Sequence, residues 1–334
     1  MTVRRLPFVL ILTILWAVMV AVAIAVRPLL PVDETRYLAV AWEMWQRGDF
    51  LVPYLNGDPY SHKPPLLFWG MHLGWALFGV NDWWPRLVAP LFGLAALLGT
   101  WRLGRLLWPD RAEAGAVAAA LALGALFWTL FTTMTMFDML HACFAVTGII
   151  GLALAARGRL FAGYALFALS VGFGVLGKGP AILVHLLPAA LAAPLWARSF
   201  GWDGGWARWY ACLGAAVLVG AAIGLAWALP AAAAGGEAYR AEMTAMRADG
   251  GARLAVIWFG AAFLVFSAIS GKQPHYLLPE FPALALLAAR ALCGASVGAA
   301  GFWRPVDRWL PVAFFLLLTG VIAGAFHFDL RPSW

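Results

Sequence analysis

Five side chains crowd together directly after a long apolar run: Asp33, Glu34, Thr35, Arg36 and Tyr37. Two adjacent carboxylates beside a guanidinium make a compact acid–base and anion-binding set. The plainer alternative is a helix start, with Asp33 capping a helix that begins near Glu34 and Arg36 pairing with either acid. That accounts for one acid but not for the set of five. Ionisable groups at a membrane edge are functional candidates by default.

A second pattern concerns the cations. The chain carries three lysines against twenty arginines. Each lysine lies within two residues of a proline at the end of an apolar stretch: Lys63 in Ser61-His62-Lys63-Pro64-Pro65, Lys178 in Gly177-Lys178-Gly179-Pro180, and Lys272 in Gly271-Lys272-Gln273-Pro274. An ammonium is a compact point charge and a common phosphate binder, whereas guanidinium favours planar, forked partners. Ammonium groups at three helix breaks suggest a site for a phosphate-bearing lipid. The alternative is that each lysine snorkels to the headgroup region and closes a helix.

Other residues offer less. Asp138 and His141 share a helix face, but two residues lack the ligand number and softness of a metal site. No metal ligand and no cofactor follow; a divalent metal is an option these residues do not support. His275 and Tyr276 line a cleft or anchor at the interface. His185 and His327 lie in apolar runs, and Trp83 and Trp84 read as belt residues. Cys143, Cys212 and Cys293 stand singly and read as small core residues.

The elements that must position these groups are helices in a bilayer. Of 334 residues, 63% are hydrophobic and 12% charged, with a mean hydropathy of +0.83. A bilayer span needs about 20 apolar residues. Such runs recur near 6–26, 87–108, 114–131, 142–156, 160–177, 180–197, 209–233, 254–270, 276–293 and 309–328, with a shorter aromatic piece at 66–80. Short alternating strands, the mark of a barrel, are missing from the pattern. The net charge of +7 comes from arginines in short loops: Arg102, Arg105 and Arg111; Arg157 and Arg159; Arg198 and Arg208. Clusters of this kind are what positive-inside orientation produces, so nucleic acid is excluded as a partner.

The clusters all fall on the cytoplasmic side if the first span is uncleaved, with Arg4 and Arg5 inside, and if 66–80 lies along the interface. Residues 27–65, the turn around 132–141, Lys178 and residues 234–252 then face outward. Beyond that the pattern conflicts with itself. Running 254–270 inward puts Lys272 and His275 in the cytoplasm and Arg304 and Arg308 outside. One more crossing between about 235 and 255 would repair both, yet that stretch is too polar and short. The expectation is an all-α polytopic transmembrane helical bundle of about 10–11 spans. It forms a single membrane-embedded domain, 1–334, with juxtamembrane helices in an outward first loop and no separate soluble C-terminal domain.

Several fragments now fall in order: Asp33-Glu34-Thr35-Arg36-Tyr37, Arg47-Gly48-Asp49-Phe50-Leu51-Val52-Pro53, His62-Lys63-Pro64-Pro65, Phe78-Gly79-Val80-Asn81, Phe137-Asp138-Met139, Gly177-Lys178-Gly179 and Ser270-Gly271-Lys272-Gln273-Pro274-His275-Tyr276. The series resembles the C-type multispanning glycosyltransferases of the protein O-mannosyltransferase and lipid A aminoarabinose transferase branch. It covers most of residues 1–293. The resemblance implies inverting transfer of a hexosyl or pentosyl unit from a polyprenyl-phosphate carrier to a lipid or protein acceptor. The reaction would face the periplasm or exterior of a bacterial inner membrane.

In that resemblance Asp33 acts as general base or positions the acceptor, while Arg36, Lys63 and Lys178 stabilise the leaving phosphate. Glu34, Tyr37, His62, Asp138, Lys272, His275 and Tyr276 join them as substrate-binding candidates. His62 stands where some relatives carry an acid, so a metal site is not carried over. Glu237 to Arg253 replaces a longer outward segment and one crossing of the family pattern, which leaves an inactive shortened member as an alternative. A non-catalytic transporter of lipid-linked or anionic solutes is another. Acids gathered at one surface favour the enzyme.

Overall fold

A computed structural model describes residues 7–109, 113–237 and 239–241. Lys272, His275, Tyr276 and the spans expected after residue 241 lie outside the described residues.

The first helix, α1 (Phe8–Val26), buries only Leu12, Trp16 and Val20, one residue per turn. Leu10, Ile11, Ile14, Leu15, Val18 and Val22 are exposed. An apolar helix with so narrow a packed stripe is one solvated by lipid. Five described stretches are long and apolar enough to cross a membrane: Phe8–Val26, Trp83–Leu107, Asp138–Ala156, Leu160–Leu191 and Trp206–Ala234. The protein is a multi-pass membrane protein, and its described part is helical apart from one small hairpin.

Between the first two of these stretches the chain stays at one end of the bundle. Helix α2 (Asp33–Arg47) is amphipathic and buries Tyr37, Val40, Ala41 and Met44. It packs on α3 (Leu66–Phe78), which packs on α4 (Trp83–Leu107). With 13 residues, α3 is about 20 Å long at 1.5 Å per residue, shorter than the ~30 Å hydrocarbon layer. Its short length matches the non-crossing helix read from 66–80. The chain between α2 and α3 forms a hairpin of β1 (Tyr54–Leu55) and β2 (Asp58–Pro59). Asn56 and Gly57 turn it with φ of 56° and 92°, the left-handed pair that a tight hairpin requires.

Next come α5 (Glu113–Gly124), α6 (Leu126–Thr132), α7 (Asp138–Ala156), α8 (Leu160–Lys178), α9 (Ile182–Leu191) and α10 (Trp206–Ala234). The apolar run at 114–131 is therefore not one helix, because Ala125 is extended and separates α5 from α6. The run read as starting at 142 begins at Asp138, whose carboxylate suits the positive end of a helix. The run at 180–197 is α-helical only to Leu191, and short 3₁₀ turns follow around Pro194.

Helix α7 is the centre of the bundle, packed against α4, α8 and α9. It touches α8 backbone to backbone: a Cβ on Gly163 would meet Ala155 N and Gly151 O. Small residues allow that approach in lipid, where close packing replaces the hydrophobic drive. Helix α8 stops at Lys178 because Gly179 takes φ +77° and Pro180 cannot continue the ladder. The chain then turns back. Ile182 packs on Gly174 and Leu186 on Gly148, and the Trp209 indole N–H donates to Ala190 O at 3.1 Å.

Candidate functional site

The site is built from the loop that leaves α1. Arg86 on α4 donates to Ile24 O at 2.8 Å and Arg27 O at 2.5 Å, closing the last carbonyls of α1. Arg27 in turn holds both oxygens of Glu34 and donates to Thr133 O at 2.7 Å. Glu34 is 1% exposed. It also accepts the Leu30 N–H at 2.8 Å and the Thr135 N–H at 2.7 Å. Burial alone would raise its pKa, but Arg27 and the two backbone N–H groups outweigh that and hold it below the usual carboxylate value. Glu34 therefore clasps the chain before α2 to the chain before α7. It has no oxygen left for a ligand.

One residue earlier, Asp33 occupies the first position of α2 with its side chain 48% exposed. The helix begins at Asp33 itself, and each acid has a separate arginine: Arg36 pairs with Asp33, Arg27 with Glu34. Asp33 Oδ1 also accepts the Tyr37 hydroxyl at 3.4 Å, and Oδ2 has no partner among the described residues. Burial lifts the Tyr37 phenol to about 12, so it stays a donor. Tyr60, from the end of the hairpin, is buried and interacts electrostatically with Arg36 and Asp33.

Phe137 is the platform that joins the two halves. Its ring meets Tyr37 edge-on at 5.0 Å and Phe68 at 5.6 Å. The Lys63 ammonium lies 5.6 Å from the Phe137 centroid, set there by Pro64 and Pro65 before α3. Among the described residues Lys63 has no carboxylate within ion-pair range. Burial pushes its pKa down, Lys178 and Arg36 push it further, and Asp138 and Asp33 offset part of this. Lys178, at the end of α8, is paired with Asp138 Oδ1 at 2.7 Å.

Asp33, Arg36, Tyr37, Lys63, Asp138 and Lys178 thus gather at one end of the bundle. His62 is exposed at the rim, with its ring 5.3 Å from Tyr60. His141 does not join Asp138; its ring meets His185 at 4.9 Å. No three His, Cys, Asp or Glu side chains converge in a metal-holding group among the described residues. Sequence reasoning missed Arg27, Arg86, Tyr60 and the platform role of Phe137. Arg27 had one visible signal, as the first charge after an apolar span.

Comparison with known proteins follows the same lines. Residues 62–230 match the family described as dolichyl-phosphate-mannose-protein mannosyltransferase. The undecaprenyl phosphate-alpha-4-amino-4-deoxy-L-arabinose arabinosyl transferase of Pseudomonas aeruginosa (strain LESB58) is 31% identical over 214 residues, covering 59% of this chain and 35% of the relative. The transferase of the same name from Pectobacterium carotovorum subsp. carotovorum (strain PC1) is 29% identical over 369 residues, covering 94% of this chain and 64% of the relative. The matched region thus spans between about a third and just under two-thirds of these relatives' length. The crystal structure of ArnT from Cupriavidus metallidurans bound to undecaprenyl phosphate superposes with a TM-score of 0.57 at 23% identity, covering 95% of this chain and 65% of that one. Its apo form gives 0.52 at 24% identity, covering 97% and 66%. At such identity the likeness is one of fold.

Proposed function

The chain belongs to the dolichyl-phosphate-mannose-protein mannosyltransferase family, and on that footing we propose that it transfers a sugar from a polyprenyl-phosphate carrier to a lipid or protein acceptor. The observation that carries this reading is Lys63. Its half-buried ammonium lies among Asp33, Arg36, Asp138 and Lys178 and has no carboxylate of its own among the described residues. A cation in that state is prepared for an anion that the protein does not itself supply.

The chemistry divides among the residues as follows. The acceptor oxygen attacks the anomeric carbon on the face opposite the phosphate, so configuration inverts. The acceptor's proton passes to Asp33, through the Oδ2 that nothing among the described residues occupies. The breaking carbon–oxygen bond leaves its electron pair on the polyprenyl phosphate. Lys63 and Arg36 stabilise that charge, and Lys178 joins by exchanging Asp138 for phosphate. Tyr37 orients Asp33. His62 contacts substrate from the rim; Lys272, His275 and Tyr276 lie outside the described residues. The names of the bacterial relatives support an undecaprenyl carrier, and the proposed reaction faces the periplasm or exterior of a bacterial inner membrane.

The test uses the purified full chain in nanodiscs with an undecaprenyl-phosphate-linked sugar and radiolabelled transfer as readout. Asp33→Asn is expected to lower transfer by about 10²–10⁴-fold, the usual contribution of a general base, while undecaprenyl phosphate still binds. Unchanged transfer would remove Asp33 as the base. Absence of carrier binding by the wild-type chain would remove the glycosyltransferase reading altogether.

A further inference from the structure

An open groove of about 500 Å³ runs beside α2, away from the lysine cluster. It is lined by Trp42, Glu43, Gln46 and Arg47 of α2 and by Asn56 and Gly57 of the hairpin turn. We infer that this groove binds the neutral saccharide part of the acceptor; the word acceptor rests on the glycosyltransferase reading above.

The walls are held in place before any ligand arrives. Glu43 Oε1 accepts from Arg47 Nε at 3.0 Å, Arg47 Nη2 at 2.7 Å and the Gly57 N–H at 3.0 Å. The Arg47 guanidinium lies over the Tyr54 ring at 4.2 Å. Trp42 is held by a perpendicular contact with Trp75, centroids 6.0 Å apart, and is still 41% exposed. What remains unused is as informative. Glu43 Oε2, Arg47 Nη1 and the side-chain amides of Gln46 and Asn56 have no protein partner among the described residues. Acceptors and donors thus alternate around an exposed indole.

Charge decides the class of ligand. One carboxylate and one guanidinium, already paired, leave the groove without net charge, unlike the cationic surface around Lys63. A phosphate meets no unpaired cation here, since Arg47 is already paired with Glu43. A pyranose ring gains on both counts, stacking its C–H face on the indole while neighbouring hydroxyls use the free donors and acceptors. An extended peptide fits less well, because strands of two residues are too short for strand addition. The groove lies apart from the proposed base: Glu43 is ten residues beyond Asp33, about 15 Å along the helix at 1.5 Å per residue.

The experiment is saturation-transfer NMR on the full chain in nanodiscs, with mannotriose as the neutral probe. Saturation of the probe is expected for the wild type, with at least a threefold loss in Trp42→Ala and in Gln46→Ala. Gln46 is exposed and removes dependence on how Trp42→Ala folds. Asp33→Asn, which disables the proposed chemistry, should bind the probe as the wild type does. Failure of the wild type to saturate the probe, or full saturation in both groove variants, would overturn the inference. Trp42-dependent binding in a protein that shows no transfer would support the groove and count against the catalytic reading alone.

Discussion

Glu34 and Thr135 are separated by 101 positions and joined by a 2.7 Å hydrogen bond from the Thr135 N–H to Glu34 Oε1. That bond, with the Arg27 pair beside it, sets the start of α2 against the start of α7. It thereby brings Asp33 and Phe137 into one surface.

Glu34→Gln should cost about 3 kcal/mol of stability, the scale for removing one member of a buried ion pair. The wild type should also show a pH dependence of defined sign. Glu34 is held below the ordinary carboxylate value in the fold. Its contribution is present above the unfolded value and is lost as pH falls through the lower, folded one. Thermal unfolding in detergent between neutral pH and strongly acidic pH measures this, and Glu34→Gln should flatten the acid limb.

Carrier binding should follow the protonation of Lys63. Its pKa is pushed below that of an ordinary lysine, by burial first and Lys178 second. Affinity for undecaprenyl phosphate should therefore fall on the alkaline side at a lower pH than a free lysine would give. Lys63→Arg should move that limb to higher pH. Lys63→Ala should weaken binding about tenfold or more, since one charge-assisted hydrogen bond is worth roughly 1.5–3 kcal/mol. Titration by microscale thermophoresis at several pH values separates these outcomes.

Asp138 and Lys178 form a pair in which each side chain is about one-third exposed, 33% and 35%. A double-mutant cycle with Asp138→Asn and Lys178→Met should give a coupling energy of about 1 kcal/mol in thermal unfolding. Asp138→Asn alone should tighten undecaprenyl phosphate binding several-fold, because Lys178 then lacks its internal partner. Weaker binding in that variant would mean that Lys178 does not reach the phosphate.

Tyr37→Phe should reduce transfer about tenfold while leaving the alkaline limb in place. The hydroxyl titrates near 12 and keeps its proton throughout the working range. A shifted alkaline limb in Tyr37→Phe would assign that titration to Tyr37 and not to Lys63.

Gly163→Ala should destabilise the bundle by about 3 kcal/mol, at the upper end for overpacking. The added methyl meets the backbone of α7 at Gly151 and Ala155, and backbone cannot rotate away. Loss of monodisperse protein on size exclusion, or a lowered melting temperature, is the readout. An unchanged melting temperature would mean that α7 and α8 are further apart than described.

Much of this protein was legible along the chain. Apolar runs of membrane length, arginines in short loops and a short aromatic helix at 66–80 announced a multi-pass bundle, because bilayer thickness and loop charge act on local composition. The cluster of polar groups from Asp33 to Tyr37 was legible for the same reason, as was the helix break that ends at Lys178. Partner choice was not. Nothing near Glu34 indicates that Arg27 and Thr135 consume its oxygens, and nothing near Lys178 indicates Asp138, 40 positions earlier. Two adjacent carboxylates look alike in sequence, yet one is a buried clasp and the other a half-exposed candidate base. Likewise the two described lysines share the same proline context, but only Lys178 meets an acid. Hydrophobic period and loop charge are properties of neighbours along the chain, whereas ion pairing depends on which helix ends the bundle brings together. That arrangement exists only after α7, α8 and the α2–α3 segment have packed.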